Sequence, residues 1–93
     1  LYCQTANAPQ KRVSLKVVSS FIVGRSNICE VCIEDAKMSR QHFAVEYTDG
    51  VFMISDLNSV NGTFVNGVRV LSRQRLNSGD MILAGLTRIR IEF

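Results

Sequence analysis

The chain has 93 residues and a formal net charge of +3, with 46% hydrophobic and 20% charged residues. This length suits one domain with a single core, and the composition is that of a folded globular protein and excludes a disordered one. No apolar run approaches the length of a membrane helix, about 20 residues, so no membrane contact is expected from this segment.

Charge is distributed unevenly along the chain. Residues 1–25 contain four bases and no acid, residues 26–60 two bases and six acids, and residues 61–93 five arginines and two acids. The acidic middle segment argues against the continuous basic surface that nucleic acid requires, so no nucleic-acid partner is expected. The pI near 9.0 keeps a nucleic-acid-binding β domain as an alternative.

The first predicted elements are a tail and two strands. Residues 1–10 lack a hydrophobic period and contain the only proline, which predicts a terminal tail or linker before a domain at residues 11–93. Apolar residues then alternate over 13–18, which predicts a strand with one buried face. The short apolar run 21–23 predicts a second strand, which ends at Gly24.

The later strands are predicted on either side of turns. Asp49-Gly50 and Asn66-Gly67 indicate hairpins, because both turn positions require positive φ, and residues 77–80 form a third turn. The strands predicted around these turns are 43–47, 51–54, 63–65, 68–70, 81–83 and 88–93. Many short strands without helical periodicity predict an all-β sandwich or barrel.

Three polar segments lie between the predicted strands, at residues 24–26, 39–42 and 58–63. Together they contain guanidinium groups, hydroxyls, an amide and turn-forming glycines. These groups can hold a phosphate and the peptide backbone beside it. Because they contain no complete catalytic set, we expect a binding module for a phosphorylated partner, and no enzyme, cofactor or metal.

The motifs within these segments resemble the forkhead-associated (FHA) domain. Gly24-Arg25, Ser39 to His42, Asn61-Gly62-Thr63 and Asn66-Gly67 occur in the order of that family, and the resemblance covers residues 11–93. It implies a sandwich of two antiparallel sheets with binding loops at one end. It also implies that the partner is a threonine-phosphorylated protein or peptide, bound in extended form.

The resemblance assigns binding roles to four residues. Arg25 matches the phosphate-binding arginine, whose guanidinium reaches two phosphate oxygens at once. Ser39 is similar to a serine whose hydroxyl donates to the phosphate, and Arg40 can assist as a second cation. Asn61 matches the asparagine that holds the peptide backbone, because an amide both donates and accepts.

The resemblance also assigns structural support of the loops and return strands to Gly24, His42, Gly62, Thr63, Asn66 and Gly67. A histidine three residues from Ser39 could suggest a nucleophile and its base. However, no Gly-x-Ser-x-Gly elbow is present, and the two residues are too close along the chain to be positioned independently.

Two positions bear on affinity and selectivity. Val60 lies where several FHA domains have a hydroxyl residue, and valine cannot donate to a phosphate. An interaction domain of the same fold that needs no phosphate is therefore an alternative function. Lys37 lies where a basic residue in some members favours an acid three positions after the phosphothreonine, and we expect that preference here.

The three cysteines are too few and too dispersed for a disulfide framework. Cys29 and Cys32 have the spacing of a redox or zinc half-site, but in a strand they would point to opposite faces. Buried, reduced thiols are expected, with a metal or redox pair as the alternative. The reduced state predicts a cytoplasmic location.

Overall fold

The structure is a computed structural model that describes residues 2–5, 12–14 and 20–93. Within these ranges the chain forms eleven strands and no helix. The described residues therefore contain no helix that is long and apolar enough to cross a membrane. The strands are β1 (Tyr2–Thr5), β2 (Arg12–Ser14), β3 (Ser20–Gly24), β4 (Val31–Cys32), β5 (Phe43–Thr48), β6 (Val51–Asp56), β7 (Thr63–Val65), β8 (Val68–Arg69), β9 (Gln74–Leu76), β10 (Met81–Ala84) and β11 (Thr87–Glu92).

The strands form two sheets, which confirms the predicted all-β sandwich. One sheet has the order β2-β1-β11-β10-β7-β8 and the other β4-β3-β5-β6-β9. Among the described strands, every neighbouring pair is antiparallel except β3 and β4, which pair in parallel at Val23–Val31 and Gly24–Cys32. This difference from the prediction arises because the chain leaves β3, loops through 25–30 and returns to the same sheet edge in the same direction.

A single core between the sheets supports the loops. In β11 the odd-numbered residues from Thr87 to Ile91 are buried and the even-numbered ones are exposed, as the period of two requires. Side chains at most 1% exposed come from both sheets, and they include Val23, Phe43, Ile54, Leu76, Ile82 and Ile89. Burying each of these contributes about 1.5–3 kcal/mol, so the strands form a rigid base for the loops.

The predicted hairpin turns are confirmed. Asp49 and Gly50 have φ of 51° and 80°, and Asn66 and Gly67 have φ of 50° and 83°. Positive φ at both central positions matches the right-handed twist of the flanking strands. The first turn joins β5 to β6 and the second joins β7 to β8.

Residues 2–5 belong to the sheet, which differs from the tail predicted over residues 1–10. Tyr2–Thr5 pairs with β11 from Tyr2–Glu92 to Thr5–Ile89, and Cys3 is 3% exposed in the core. A four-residue strand is too short to show a period, and its partner is at the other end of the chain. Of the strand predicted over 13–18, residues 13 and 14 belong to β2, whereas 15–18 lie outside the described residues. Residues 1 and 6–10 of the predicted tail also lie outside them.

Three loops meet at one end of the sandwich, as the resemblance to the FHA domain implied. They are the β3–β4 loop (25–30), the β4–β5 loop (33–42) and the β6–β7 loop (57–62). The amide of Arg25 donates to the Ser39 carbonyl at 3.0 Å, and the amide of Leu57 donates to the His42 carbonyl at 3.0 Å. These bonds join the middle loop to the other two and bring the predicted polar segments together.

Candidate functional site

Close backbone packing at Gly24 sets the geometry of the site. A Cβ at this position would lie 2.1 Å from the carbonyl oxygen of Arg40, so no larger residue fits. The amides of Arg25 and Ser26 donate to the carbonyls of Ser39 and Arg40, each at 3.0 Å. Gly24 thus allows Arg25 to lie beside two residues that are 14 and 15 positions later in the chain.

The Arg25 side chain is held at one nitrogen. Its Nε donates to the carbonyl of Met38 at 3.1 Å, and the side chain is exposed. In the described part of the chain no acceptor contacts its two Nη groups, which keep four of the five guanidinium N–H donors. The contact to Met38 orients the group, and the Nη donors remain open to an anion from solvent.

The Ser39 hydroxyl is oriented by the β6–β7 loop. Its Oγ accepts the amide N–H of Val60 at 3.0 Å. This bond uses one lone pair and leaves the hydroxyl proton, which can donate to a phosphate oxygen. The same bond occupies the Val60 amide, so this amide is not a second phosphate donor. The Arg25 Nη groups and the Ser39 hydroxyl proton are therefore donors at this end that the protein itself leaves available.

His42 joins two of the loops from within the structure. The side chain is fully buried; its Nδ1 accepts the Ser39 amide at 3.0 Å, and its Nε2 lies 2.8 Å from the Gly62 carbonyl. An amide only donates and a carbonyl only accepts, so the ring is neutral with its proton on Nε2. The ring contacts the Ser39 amide and not the Ser39 hydroxyl. This contact fits a structural role, because a catalytic base would have to contact the hydroxyl.

Asp56, which the sequence analysis missed, shapes the β6–β7 loop. Its carboxylate accepts the Ser59 amide at 3.0 Å, and the hydroxyls of Ser59 and Thr63 at 2.6 Å each. Burial by itself raises the pKa of Asp56, but the bonds from the Ser59 hydroxyl, the Thr63 hydroxyl and the Ser59 amide together lower it. The signal in the sequence was the Asp-x-x-Ser spacing, in which an aspartate caps a turn.

Gly62 has a backbone conformation that favours glycine. Its φ is +83°, and its amide donates to the Ser59 hydroxyl at 3.0 Å. Its carbonyl is the acceptor for His42. Together with Thr63, which is fully buried, Gly62 holds the preceding residue, Asn61, at the loop tip.

Asn61 lies at the surface next to the β4–β5 loop. Its Nδ2 donates to the carbonyl of Lys37 at 2.8 Å. This bond orients the amide, and it leaves Oδ1 and one N–H available to a peptide backbone. The bond also places Lys37 on one side of Asn61, while Val60 adjoins it on the other.

The remaining predicted binding residues are exposed at the same end. The side chains of Arg40 and Lys37 are exposed, and Val60 is 86% exposed. The Val60 amide donates to the Ser39 hydroxyl, so the apolar Val60 side chain lies next to a predicted phosphate-binding residue.

Two thiols contact the backbone of the arginine-bearing loops. Cys29 Sγ donates to the Arg40 carbonyl at 3.2 Å, and Cys32 Sγ to the Arg25 carbonyl at 3.4 Å. Burial, and then the nearby Cys32 and Glu30, raise the pKa of the Cys29 thiol, so it stays protonated and able to donate. The sequence analysis expected buried thiols but did not predict these contacts.

The buried carboxylate of Asp35 stabilises the β4–β5 loop. Asp35 accepts the Lys37 and Leu86 amides at 2.9 and 2.8 Å, and the Thr87 hydroxyl at 2.7 Å. Burial raises the pKa of Asp35, but these hydrogen bonds, the Thr87 hydroxyl first, lower it below its ordinary value. Gly85, at φ +61°, is required because a Cβ there would lie 2.8 Å from Asp35 Oδ2.

Asn66 and Gly67 lie away from the binding loops, unlike the other residues predicted to support them. They form the β7–β8 turn, at the end of β7 opposite the β6–β7 loop. Asn66 donates to Asp80 Oδ1 and accepts the Met81 amide, both at 3.0 Å. These contacts join two turns at the far end of the sandwich, so the pair stabilises the return strands only.

The sequence model of the FHA domain family matches residues 21–85, which include all three loops. A similar protein is the ABC transporter ATP-binding/permease protein Rv1747 of Mycobacterium tuberculosis, which is 40% identical over 63 residues. The match covers 68% of this chain and 7% of Rv1747, so the chain spans only a small part of that relative's length.

Solved structures of FHA domains share the fold. One comes from work on phosphothreonine-dependent FHA domain interactions; it has a TM-score of 0.90 at 29% identity and covers 99% of this chain and 94% of its own. The crystal structure of the FhaA FHA domain complexed with the intracellular domain of Rv3910 has a TM-score of 0.86 at 30% identity, with 96% of both chains covered.

Proposed function

Because this chain belongs to the FHA domain family, we propose that it recruits the protein that contains it to partners phosphorylated on threonine. As an FHA domain it is a phosphothreonine-peptide-binding module. The domain boundary that we propose takes residues 11–93 and adds β1, which pairs with β11. The observation that carries the proposal is the exposed Arg25 Nη pair beside the oriented Ser39 hydroxyl, on loops held by buried side chains.

Arg25 and Ser39 hold the phosphate. The guanidinium keeps its charge at every working pH and makes charge-assisted bonds, each contributing about 1.5–3 kcal/mol. The Ser39 hydroxyl adds a neutral donor from the adjacent loop. Arg40, exposed next to Ser39, contributes a second positive charge to the same region.

Asn61 holds the peptide backbone next to the phosphothreonine. Its contact to the Lys37 carbonyl orients the side-chain amide, so its Oδ1 can accept a backbone N–H of an extended peptide. His42 and Gly62 keep this residue at a fixed distance from Ser39, because the imidazole bonds both loops. The site is thus organised before the peptide arrives, which reduces the entropic cost of binding.

The module acts by recognition and has no catalytic activity of its own. His42 is buried, and both of its ring nitrogens are occupied by backbone partners, the Ser39 amide and the Gly62 carbonyl. We further propose a cytoplasmic location. Cys29 and Cys32 donate hydrogen bonds as thiols, the state that a reducing compartment maintains.

A phosphate-independent interaction domain is the second candidate function. It is favoured by Val60, which is 86% exposed beside Ser39 and cannot donate to a phosphate. This function predicts binding that is indifferent to the loss of Arg25.

The test is a titration of the domain with a degenerate phosphothreonine peptide pool, with matched phosphoserine and unmodified pools. Micromolar binding corresponds to about −8 kcal/mol, and we expect it for the phosphothreonine pool alone. Arg25→Ala should weaken it by at least about 150-fold, because two charge-assisted bonds of about 1.5 kcal/mol or more each are lost. Arg90→Ala is the matched control, because exposed Arg90 pairs with Met81 at the far end of the sheet.

If the unmodified pool binds equally well, or if Arg25→Ala binds as well as the wild type, the result would support a phosphate-independent interaction domain instead. Salt-sensitive binding of a plain oligonucleotide would instead support the nucleic-acid alternative.

A further inference from the structure

A third arginine lies beside the peptide-binding loop. The guanidinium of Arg69, in β8, lies against Gly62: a Cβ at Gly62 would be 3.2 Å from Arg69 Nε and 3.3 Å from Cζ. Arg69 is exposed, and in the described ranges it has neither a hydrogen bond nor an ion pair. A second reason for glycine at position 62 is therefore that it leaves room for this cation next to Asn61.

Arg69 forms one wall of a cleft of about 360 Å³ between β6, the start of the β6–β7 loop and the β8–β9 connection. This volume is at the small end of the range of ligand sites. The polar lining residues that matter to its chemistry are Ser55, Asp56, Asn58, Arg69, Ser72 and Arg73. Most of them are donors: two guanidinium groups, two hydroxyls and an amide.

The charge balance in the cleft favours an anion. The residues that line the cleft include two arginines and one carboxylate, Asp56, whose oxygens already accept bonds from Ser59 and Thr63. Arg73 has only a long contact, 3.9 Å, to Glu46, and both side chains are about half exposed. An exposed pair at this distance contributes little, so both guanidinium groups can turn to a ligand.

We propose that this cleft holds a second anionic group, phosphate or carboxylate, of the same peptide that presents its phosphothreonine to Arg25 and Ser39. The proposal rests on the proposed function, because the phosphothreonine site supplies the peptide. Arg69 is the principal donor, Arg73 is the second cation, and Ser72 and Asn58 complete the polar wall.

The distance between the two sites suits one extended peptide. The Val60 amide is 3.0 Å from Ser39 Oγ, Gly62 is two residues further at no more than about 7 Å, and Arg69 lies on Gly62. The Ser39 hydroxyl and the Arg69 guanidinium are therefore at most about 15 Å apart. An extended chain advances about 3.3–3.6 Å per residue, so the second anion belongs about two to four residues from the phosphothreonine.

The experiment is a series of peptides with one phosphothreonine and neutral flanks. In each, phosphoserine or glutamate is placed two, three or four residues before the phosphothreonine, or two or four residues after it. The third position after it stays neutral, because the acid preference expected there belongs to Lys37. Dissociation constants are measured for the wild type, Arg69→Ala and the control Arg90→Ala. The glutamate and phosphoserine arms distinguish the two sources of negative charge.

We expect one spacing to bind the wild type about threefold to tenfold more tightly than the singly charged peptide. Arg69→Ala should abolish this gain and leave the singly charged peptide within about twofold, whereas Arg90→Ala should keep the gain. The proposal is overturned if no spacing gains affinity, if the gain survives Arg69→Ala, or if Arg90→Ala removes it equally.

Failure of the proposed function is distinguishable from failure of the cleft. If the singly phosphorylated peptide does not bind the wild type, the proposed function fails by itself. The cleft is then tested in Arg25→Ala by following the Arg69 Nε–H resonance during a titration with inorganic phosphate. A saturable shift supports the anion site, and a shift no larger than that of Arg90 rejects it.

Discussion

Replacement of His42 tests whether one buried imidazole joins the binding loops. His42→Ala removes the acceptor of the Ser39 amide and the donor to the Gly62 carbonyl. Asparagine at this position places its Oδ1 near the former Nδ1 and keeps only the first bond. Glutamine places its Nε2 near the former ring Nε2 and keeps only the second.

The expected losses follow from the burial of each partner. An unsatisfied buried group costs about 1–3 kcal/mol; the contact to Gly62 is buried, whereas the contact to Ser39 is partly exposed. We therefore expect the free energy of unfolding to fall by about 1–2 kcal/mol in His42→Gln and about 2–3 kcal/mol in His42→Asn. His42→Ala, which loses both bonds and leaves a cavity, should lose about 3–5 kcal/mol, a large share of the stability of a small domain.

Urea unfolding followed by far-UV circular dichroism measures these losses as shifts of the midpoint at constant slope. Gln41→Ala, at the exposed neighbouring position, should change the stability by less than about 0.5 kcal/mol. The reasoning is refuted if His42→Ala loses less than about 1 kcal/mol, or if all three variants lose the same amount, since the loss would then not depend on which hydrogen bond is kept.

Three further predictions concern affinity, pH and selectivity. Val60→Thr supplies a hydroxyl beside Ser39 and should tighten phosphothreonine binding about tenfold, whereas Val60→Ala should not; equal affinities by calorimetry would contradict this. The folded-state pKa values of Asp35 and Asp56 are lowered. The two ionised carboxylates therefore stabilise the folded state fully above the ordinary aspartate pKa, and this stabilisation is lost as the pH falls below it. Urea midpoints between pH 6 and pH 2.5 should show this, and a profile that Asp56→Asn leaves unchanged would exclude Asp56 as a source. Peptide arrays should be enriched in Asp or Glu three positions after the phosphothreonine and lose that enrichment in Lys37→Ala, whereas an array without it rejects the role of Lys37.

The sequence by itself determined the strands that alternate and the turns that need special backbone angles. The clean alternation of β11 and the positive φ at Asp49-Gly50 and Asn66-Gly67 are properties of adjacent residues. The order of the polar motifs likewise led to the prediction that Arg25, Ser39 and Asn61 are binding residues, and each of them lies in a loop between strands.

Only the tertiary structure decided which distant groups meet. The pairing of β1 with β11, the contacts of Asp56 with Thr63 and of Cys29 with Arg40, and the position of Arg69 on Gly62 join residues well separated along the chain. A local pattern encodes which face of a strand is buried, since neighbouring side chains alternate. The same local pattern does not encode which loops meet at the end of the sandwich. Those contacts depend on the order of strands in each sheet, which is determined by burial of the whole core.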